Sequence, residues 1–236
     1  MLLVRSVNTW NGKRKALTFS YDDGVIQDTR LAQLFSRYGL KCTFNVNSGF
    51  FERDNPWNYK GITVRRAELA QLKQCFAGHE VAAHSVSHPN LADLSWPEAF
   101  AEINRDVVAL GQAFGTRIWG LAYPFGGYND MVMQLAANCG LLYGRTGESS
   151  YHFDLSFRLF EMQPTCHHND SRLHELADYF LAADPEADSP MLFHIFGHSY
   201  EFDADDSWQM FEAMCGKLAA RDDIFYGTNA QVLGCR

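Results

Sequence analysis

Two adjacent acids close an apolar run, Leu17-Thr18-Phe19-Ser20-Tyr21-Asp22-Asp23-Gly24, and a His-x-x-x-His pair follows later in His84-Ser85-Val86-Ser87-His88-Pro89. Two imidazoles and one carboxylate are a ligand set for a divalent cation that leaves a coordination position open for water. The second carboxylate is then spare. A cation lowers the pKa of water towards ~7, so a nearby carboxylate can complete the deprotonation. That inventory is the one metal-assisted hydrolysis needs.

Neighbouring residues at a strand end point in different directions, so Asp22 and Asp23 need not share one task. Pro89 disfavours helical geometry at His88, which makes His84 to His88 a strand end turning into a loop. Two further segments can contribute. The glycines of Tyr123-Pro124-Phe125-Gly126-Gly127 let a backbone N–H approach a ligand closely, which suits an oxyanion contact. In Met191-Leu192-Phe193-His194-Ile195-Phe196-Gly197-His198, His194 and His198 share one strand face, roughly 13 Å apart at the usual rise. His194 reads as a satisfied core histidine. His198, past Gly197, is the better proton donor to a leaving amine. His167 and His168 lie in a loop that could reach the site, with surface exposure the preferred reading.

The elements that must position these groups alternate along the chain. Strands are expected at 16–21, 42–46, 79–84, 117–123, 142–145, 157–162, 190–196 and 224–227. Helices are expected at 26–38, 65–76, 98–114, 130–138, 172–183 and 207–220. Ser95 with Glu98 forms a capping signature for the long helix, and residues 47–61 read as a loop. Seven or eight strand–helix units predict an α/β fold, a distorted or incomplete (β/α) barrel of about seven strands. An open doubly wound sheet is the competitor. In a barrel, Asp22, Asp23, His84, His88, Phe125 and His198 all fall on the carboxyl-end rim, where residues distant in sequence converge.

The bulk numbers agree with one catalytic domain over residues 1–236. The chain is 236 residues long, 47% hydrophobic and 20% charged, with a formal net charge of −8. Such a length buries a core without disulfide staples, and the negative charge argues against a nucleic-acid partner. No run approaches the ~18 apolar residues of a membrane span. The six scattered cysteines and the absence of a signal-like amino terminus predict a cytoplasmic protein.

The Asp-Asp segment, the His-x-x-x-His segment and Tyr123-Pro124-Phe125-Gly126 together resemble the first three motifs of the polysaccharide deacetylase family, also called NodB-homology or carbohydrate esterase family 4. The resemblance implies a distorted (β/α) barrel that removes acetyl groups from sugars with a divalent metal, Zn first and Co, Ni or Mn as alternatives. It further implies Asp22 as the catalytic base and Asp23, His84 and His88 as metal ligands. Phe125 would supply the oxyanion N–H, and His198, or less favourably His194, the acid. One departure is that Ala122 stands where many members carry an Arg that holds the base. Arg145 is the candidate substitute. Glu201 or Asp203 could tune the acid. Members without that Arg include enzymes of small amides and imides, so the expected substrate is an acetylated sugar or, alternatively, a small non-sugar amide or cyclic imide. A non-catalytic carbohydrate-binding relative is the third reading.

Overall fold

All eight residues of Lys15–Asp22 (β1) are buried, as a strand covered on both faces requires. The pleat divides them. Phe19 and Tyr21 face outward, with the Phe19 ring 4.5 Å from Phe35 and 6.2 Å from Phe211. Thr18 and Ser20 face inward, where Thr18 donates to Asn229 (3.0 Å) and Asn45 donates to Ser20 (2.9 Å). The barrel interior is therefore polar and hydrogen-bonded around Thr18 and Ser20, with a smaller apolar cluster that includes Ala16, Tyr143, Met162 and Leu192 beside it, while the main apolar core lies between sheet and helices. Truncating Phe19 to Ala would cost about 3–5 kcal/mol.

This computed structural model describes residues 9–235 apart from positions 52, 54, 187 and 188. The terminal segment read above for a leader lies outside the described residues. After β1 come α1 (Gln27–Arg37), β2 (Cys42–Val46), β3 (Trp57–Tyr59), β4 (Ile62–Val64), α2 (Leu69–Cys75) and β5 (Glu80–Ala83). The chain continues through α3 (Trp96–Phe114), β6 (Gly120–Ala122), α4 (Asp130–Asn138), β7 (Tyr143–Arg145), β8 (Cys166–His167) and α5 (Leu173–Ala182). It ends with β9 (Met191–Gly197), α6 (Tyr200–Ala204), α7 (Trp208–Leu218), β10 (Ile224–Tyr226) and α8 (Asn229–Val232).

The main sheet runs β7-β6-β5-β2-β1-β9-β8, with β10 beside the first half of β1, and all its pairings are parallel. Met162, just before β8, bridges to Arg145 at the end of β7, which brings the two edges of the sheet together as a distorted barrel of the expected kind. Among the described residues no helix is long and apolar enough to cross a membrane.

Two expectations fail locally. Residues 157–162 form a single 3-10 turn, Leu159–Glu161, and only Met162 joins the sheet, because the Phe160 carbonyl accepts from the Tyr123 hydroxyl (2.9 Å) instead of a strand. The stretch expected as loop, 47–61, holds the first strand and the turn of the antiparallel hairpin β3–β4, whose second strand follows directly. Its two-residue turn, Lys60-Gly61, has φ of 46° and 89°, the double left-handed geometry that hairpins favour.

Candidate active site

The candidate residues Asp22, Asp23, His84, His88, Phe125 and His198, with Arg145, emerge at carboxyl ends of the sheet. Asp22 is the last residue of β1, His84 follows β5, Arg145 ends β7 and His198 follows β9. Four non-glycine residues there adopt positive φ: Asp23 (87°), Ser85 (63°), His88 (60°) and Phe125 (57°). Left-handed backbone costs roughly 1–3 kcal/mol per residue and persists where surrounding contacts enforce it.

Asp23, His84 and His88 come together, with one donor atom from each within 4.8 Å of the others. His88 Nε2 lies 3.7 Å from Asp23 Oδ1. A tetrahedral cation bonded at about 2.1 Å separates its ligand atoms by roughly 3.4 Å, so small rotations suffice. His84 is set up for the task. Its Nδ1–H donates to the Ala122 carbonyl (2.8 Å), which leaves the Nε2 lone pair facing the cluster, as a ligating imidazole requires. Burial pushes its pKa down to about 4 and that of His88 below its usual value, so both rings are neutral near pH 7. The chemistry of this donor set fits a divalent cation.

The loop is held from behind. The Asp106 carboxylate of α3 accepts the His84 N–H (2.9 Å) and the Ser48 N–H (2.8 Å), and Asn47 donates to the Ser85 carbonyl (3.0 Å). Arg66, stacked between Phe50 and Trp57 at 4.7 Å from each ring, lies 3.0 Å from Asp23 Oδ1. Burial works against ionisation of Asp23, but Arg66 and the histidines outweigh it and lower its pKa.

Asp22 uses its two oxygens differently. Oδ1 accepts from the Arg145 guanidinium and from Asn45 Nδ2 (2.8 Å). Oδ2 stands 4.0 Å from His84 Nε2 and 4.0 Å from His198 Nε2. Burial again opposes charge, yet Arg145, His84 and His198 hold Asp22 well below the usual carboxylate range. The register explains Arg145. It pairs with Ala122 on the neighbouring strand, so a guanidinium from β7 reaches the place left empty on β6.

His198 Nδ1 faces Glu201 Oε1 at 3.6 Å, an ion-pair distance. Burial lowers the basicity of this ring, but Glu201, Asp23 and Asp22 together push its pKa up to about 9. Asp203, the other candidate partner, instead accepts from Trp208 and Gln27. His194 is buried inside the barrel, opposite Thr18, and both its ring nitrogens lack hydrogen-bond partners. Burial, with Arg145 nearby, pushes it down to about 3. It is a core histidine, as expected, but not a satisfied one. The exposure expected for His167 and His168 is also corrected. His168 is buried, and both rings place Nε2 3.2 Å from Glu201 Oε2, because Gly197 has no side chain where the His168 ring lies against β9.

Phe125 projects its ring into solvent at 77% exposure, edge-on to His88 at 4.6 Å. Its N–H has no acceptor among the described residues, whereas the Gly126 and Gly127 amides bond to Tyr123 and Pro124. These groups surround a cleft of about 580 Å³, whose lining also includes Trp57, Tyr200, Phe125 and Gly147.

Asn45, Arg66 and Asp106 were not picked out in the sequence. For Asp106 a signal existed, since Ile103, Asp106 and Leu110 share the buried face of α3 and a lone carboxylate at a core position demands a partner. Arg66 was expected on a helix over 65–76, but α2 begins only at Leu69, and no local signal marked the arginine as a partner of Asp23.

Comparison with known proteins accords with this geometry. The sequence model described as polysaccharide deacetylase matches residues 10–144. No curated protein sequence matches the chain. Among solved structures, the deacetylase PplD of Streptococcus pyogenes, in complex with acetate, is 26% identical with a TM-score of 0.50; the match covers 55% of each chain, so only about half of that protein's length is spanned. The family 4 carbohydrate esterase of Streptomyces lividans, also with acetate, shares the fold at 16% identity and a TM-score of 0.60, covering 94% of this chain and 96% of the other. The CE4 family pseudoenzyme BA3943 of Bacillus anthracis does so at 15% identity and a TM-score of 0.54, covering 93% of this chain and 65% of the other. From its motifs, its barrel and the matching of more than half its length, this chain belongs to the polysaccharide deacetylase family.

Proposed function

We propose that the protein is a metal-dependent hydrolase that removes acetyl groups from N-acetylated sugars. Asp23, His84 and His88 would hold the cation, zinc before cobalt, nickel or manganese. A cation bound there supplies Lewis-acid polarisation of the acetyl carbonyl and makes water more acidic. The remaining work falls to side chains. Asp22 Oδ2, the oxygen that Arg145 leaves alone, takes a proton from the attacking water. The Phe125 N–H faces the developing oxyanion. His198 gives its Nε2 proton to the departing nitrogen, so amide and water become acetate and amine with the proton count balanced.

The observation that carries this reading is the position of Asp22 Oδ2, 4.0 Å from both a ligand imidazole and the proposed acid. A base, an acid and a cation site then border one reacting centre. The acetate found with the Streptococcus and Streptomyces proteins is the product this reaction would release. The test is acetate release from chito-oligosaccharides with and without a chelator. Turnover that survives complete metal removal would overturn the mechanism.

A second reading keeps the chemistry and changes the substrate to a small amide or cyclic imide. The hairpin β3–β4 favours it by standing against α6 at one side of the cleft, through Trp57 and Tyr59 on Tyr200. A panel of acetylated amino sugars against cyclic amides separates the two. A binding-only relative has less support, because it needs neither Asp22 paired with Arg145 nor a histidine kept protonated.

A further inference from the structure

Glu201 lies on the first turn of α6, is 7% exposed and is gripped from three other places. The Tyr59 hydroxyl, from β3, donates to Oε1 (3.1 Å). The His198 backbone N–H donates to Oε2 (3.3 Å). His167 Nε2, from the end of β8, and His168 Nε2 beside it each lie 3.2 Å from the same oxygen.

The tautomer of His167 is fixed by its other nitrogen. The Asn169 backbone N–H donates to Nδ1 (3.1 Å), so a neutral ring carries its proton on Nε2 and turns a donor towards Glu201. This reverses the arrangement at His84, whose Nδ1 donates to a carbonyl. Although His167, His198 and Glu201 are spaced as cation ligands could be, His167 is therefore arranged as a hydrogen-bond donor and not as a ligand. The hairpin adds a connection to the cleft. Trp57 and Tyr59 fall on one face of β3, their rings edge-on to Tyr200 at 5.6 and 4.9 Å, and Lys60 pairs with Asp205 at 2.7 Å.

We propose that Tyr59 and His167 are positioning residues for the deacetylation, holding the Glu201 carboxylate so that it orients His198 for proton delivery to the leaving nitrogen. The proposal rests on the reading of His198 as the acid. Tyr59 does this from the same hairpin that presents Trp57 to the cleft, so the docking of that hairpin and the setting of the acid are one event.

The test exploits a reaction that needs no acid. An amide nitrogen must be protonated to depart, whereas 4-nitrophenolate leaves unaided. Tyr59→Phe and His167→Leu, each checked for one zinc per chain, should lose about tenfold in kcat on an N-acetyl-amino-sugar oligomer, the size of one charge-assisted hydrogen bond. KM should stay within about twofold, and hydrolysis of 4-nitrophenyl acetate should keep its rate. His167→Gln, which restores a donor, should recover most of the amide rate. The same split is expected, larger, in His198→Ala. If His198→Ala shows the split while Tyr59→Phe and His167→Leu do not, or lose both reactions equally, the positioning role is wrong and the acid assignment stands. If His198→Ala itself shows no split, the acid assignment fails and the positioning role falls with it.

Discussion

Arg145 reaches across 123 residues of sequence to bond one oxygen of Asp22 and leaves the other facing His84 and His198. Both side chains are almost wholly buried. A carboxylate in that setting stays ionised only because a charge and two donors sit on it. The proposed base, Asp22, is held by the end of β7, and the place on β6 opposite Arg145 in register is Ala122.

Removing that guanidinium should therefore damage both stability and chemistry. Arg145→Ala leaves a buried carboxylate without a counter-charge, a loss of about 3–5 kcal/mol. Arg145→Lys keeps the charge but not the planar fork, so it should unfold at higher denaturant than Arg145→Ala while kcat remains about 10- to 100-fold below wild type. Denaturant unfolding with kcat on the same preparations checks both. Unchanged turnover in Arg145→Ala would detach the guanidinium from the base.

Metal binding and turnover should separate between the two adjacent acids. Asp23→Ala, His84→Ala and His88→Ala each remove a ligand, and zinc content should fall below one per chain together with activity. Asp22→Asn should keep its zinc and lose turnover by at least about 100-fold, the usual contribution of a general base. Atomic absorption on dialysed protein and acetate release form the pair of measurements. An Asp22→Asn protein that loses its zinc would make Asp22 a ligand.

The rate should also report the charges around His198. An acid works while protonated, and Glu201, Asp23 and Asp22 push this ring up to about 9 against the effect of burial. A cation beside Asp23 opposes part of that rise. The kcat/KM profile should thus fall as pH climbs, with its alkaline limb no higher than about 9. Asp22, held below the usual carboxylate range, adds no limb near neutrality. Glu201→Gln should move the alkaline limb down by about one to two pH units. A limb that stays in place would mean that Glu201 does not set the acid.

What could be read from the chain was whatever announced itself by local pattern. β1, α4 and the long helix after Ser95 have strong periodicity or caps, and their ends fall within a residue or two of expectation. The proposed ligands and base sit in motifs at strand ends, which fixes their place once the barrel is granted. The hairpin β3–β4 has three-residue strands, too short for any period to appear. Arg145 and Glu201 could be named only as candidates, and Asn45 and Arg66 not at all, because such partners are chosen by register and by turn geometry, which are properties of the folded sheet. Residues 157–162 alternate like a strand, but a side-chain hydroxyl from Tyr123 takes the carbonyl that pairing would need.

A buried acid on α1 gives a last expectation, about stability alone. Asp28 accepts the Val25 N–H (2.9 Å) and the Ser199 hydroxyl (2.6 Å), and so ties the loop after the base to the loop after the acid. Burial raises its pKa to about 7, outweighing those two bonds. A carboxyl raised in the folded state gives its full stability below its unfolded value of about 4, and that stability is lost as pH rises through 7. Asp28→Asn can keep the geometry, with its oxygen towards Val25 and its amide towards Ser199, and it carries no charge to bury. Its unfolding free energy should fall less than that of wild type between pH 5 and 8, by up to about 3 kcal/mol. Asp106, raised to about 7 by burial in the same way, supplies a slope that remains in this variant. Urea titrations at several pH values measure the difference, and identical slopes in the two proteins would mean that Asp28 is already ionised in the fold at pH 5.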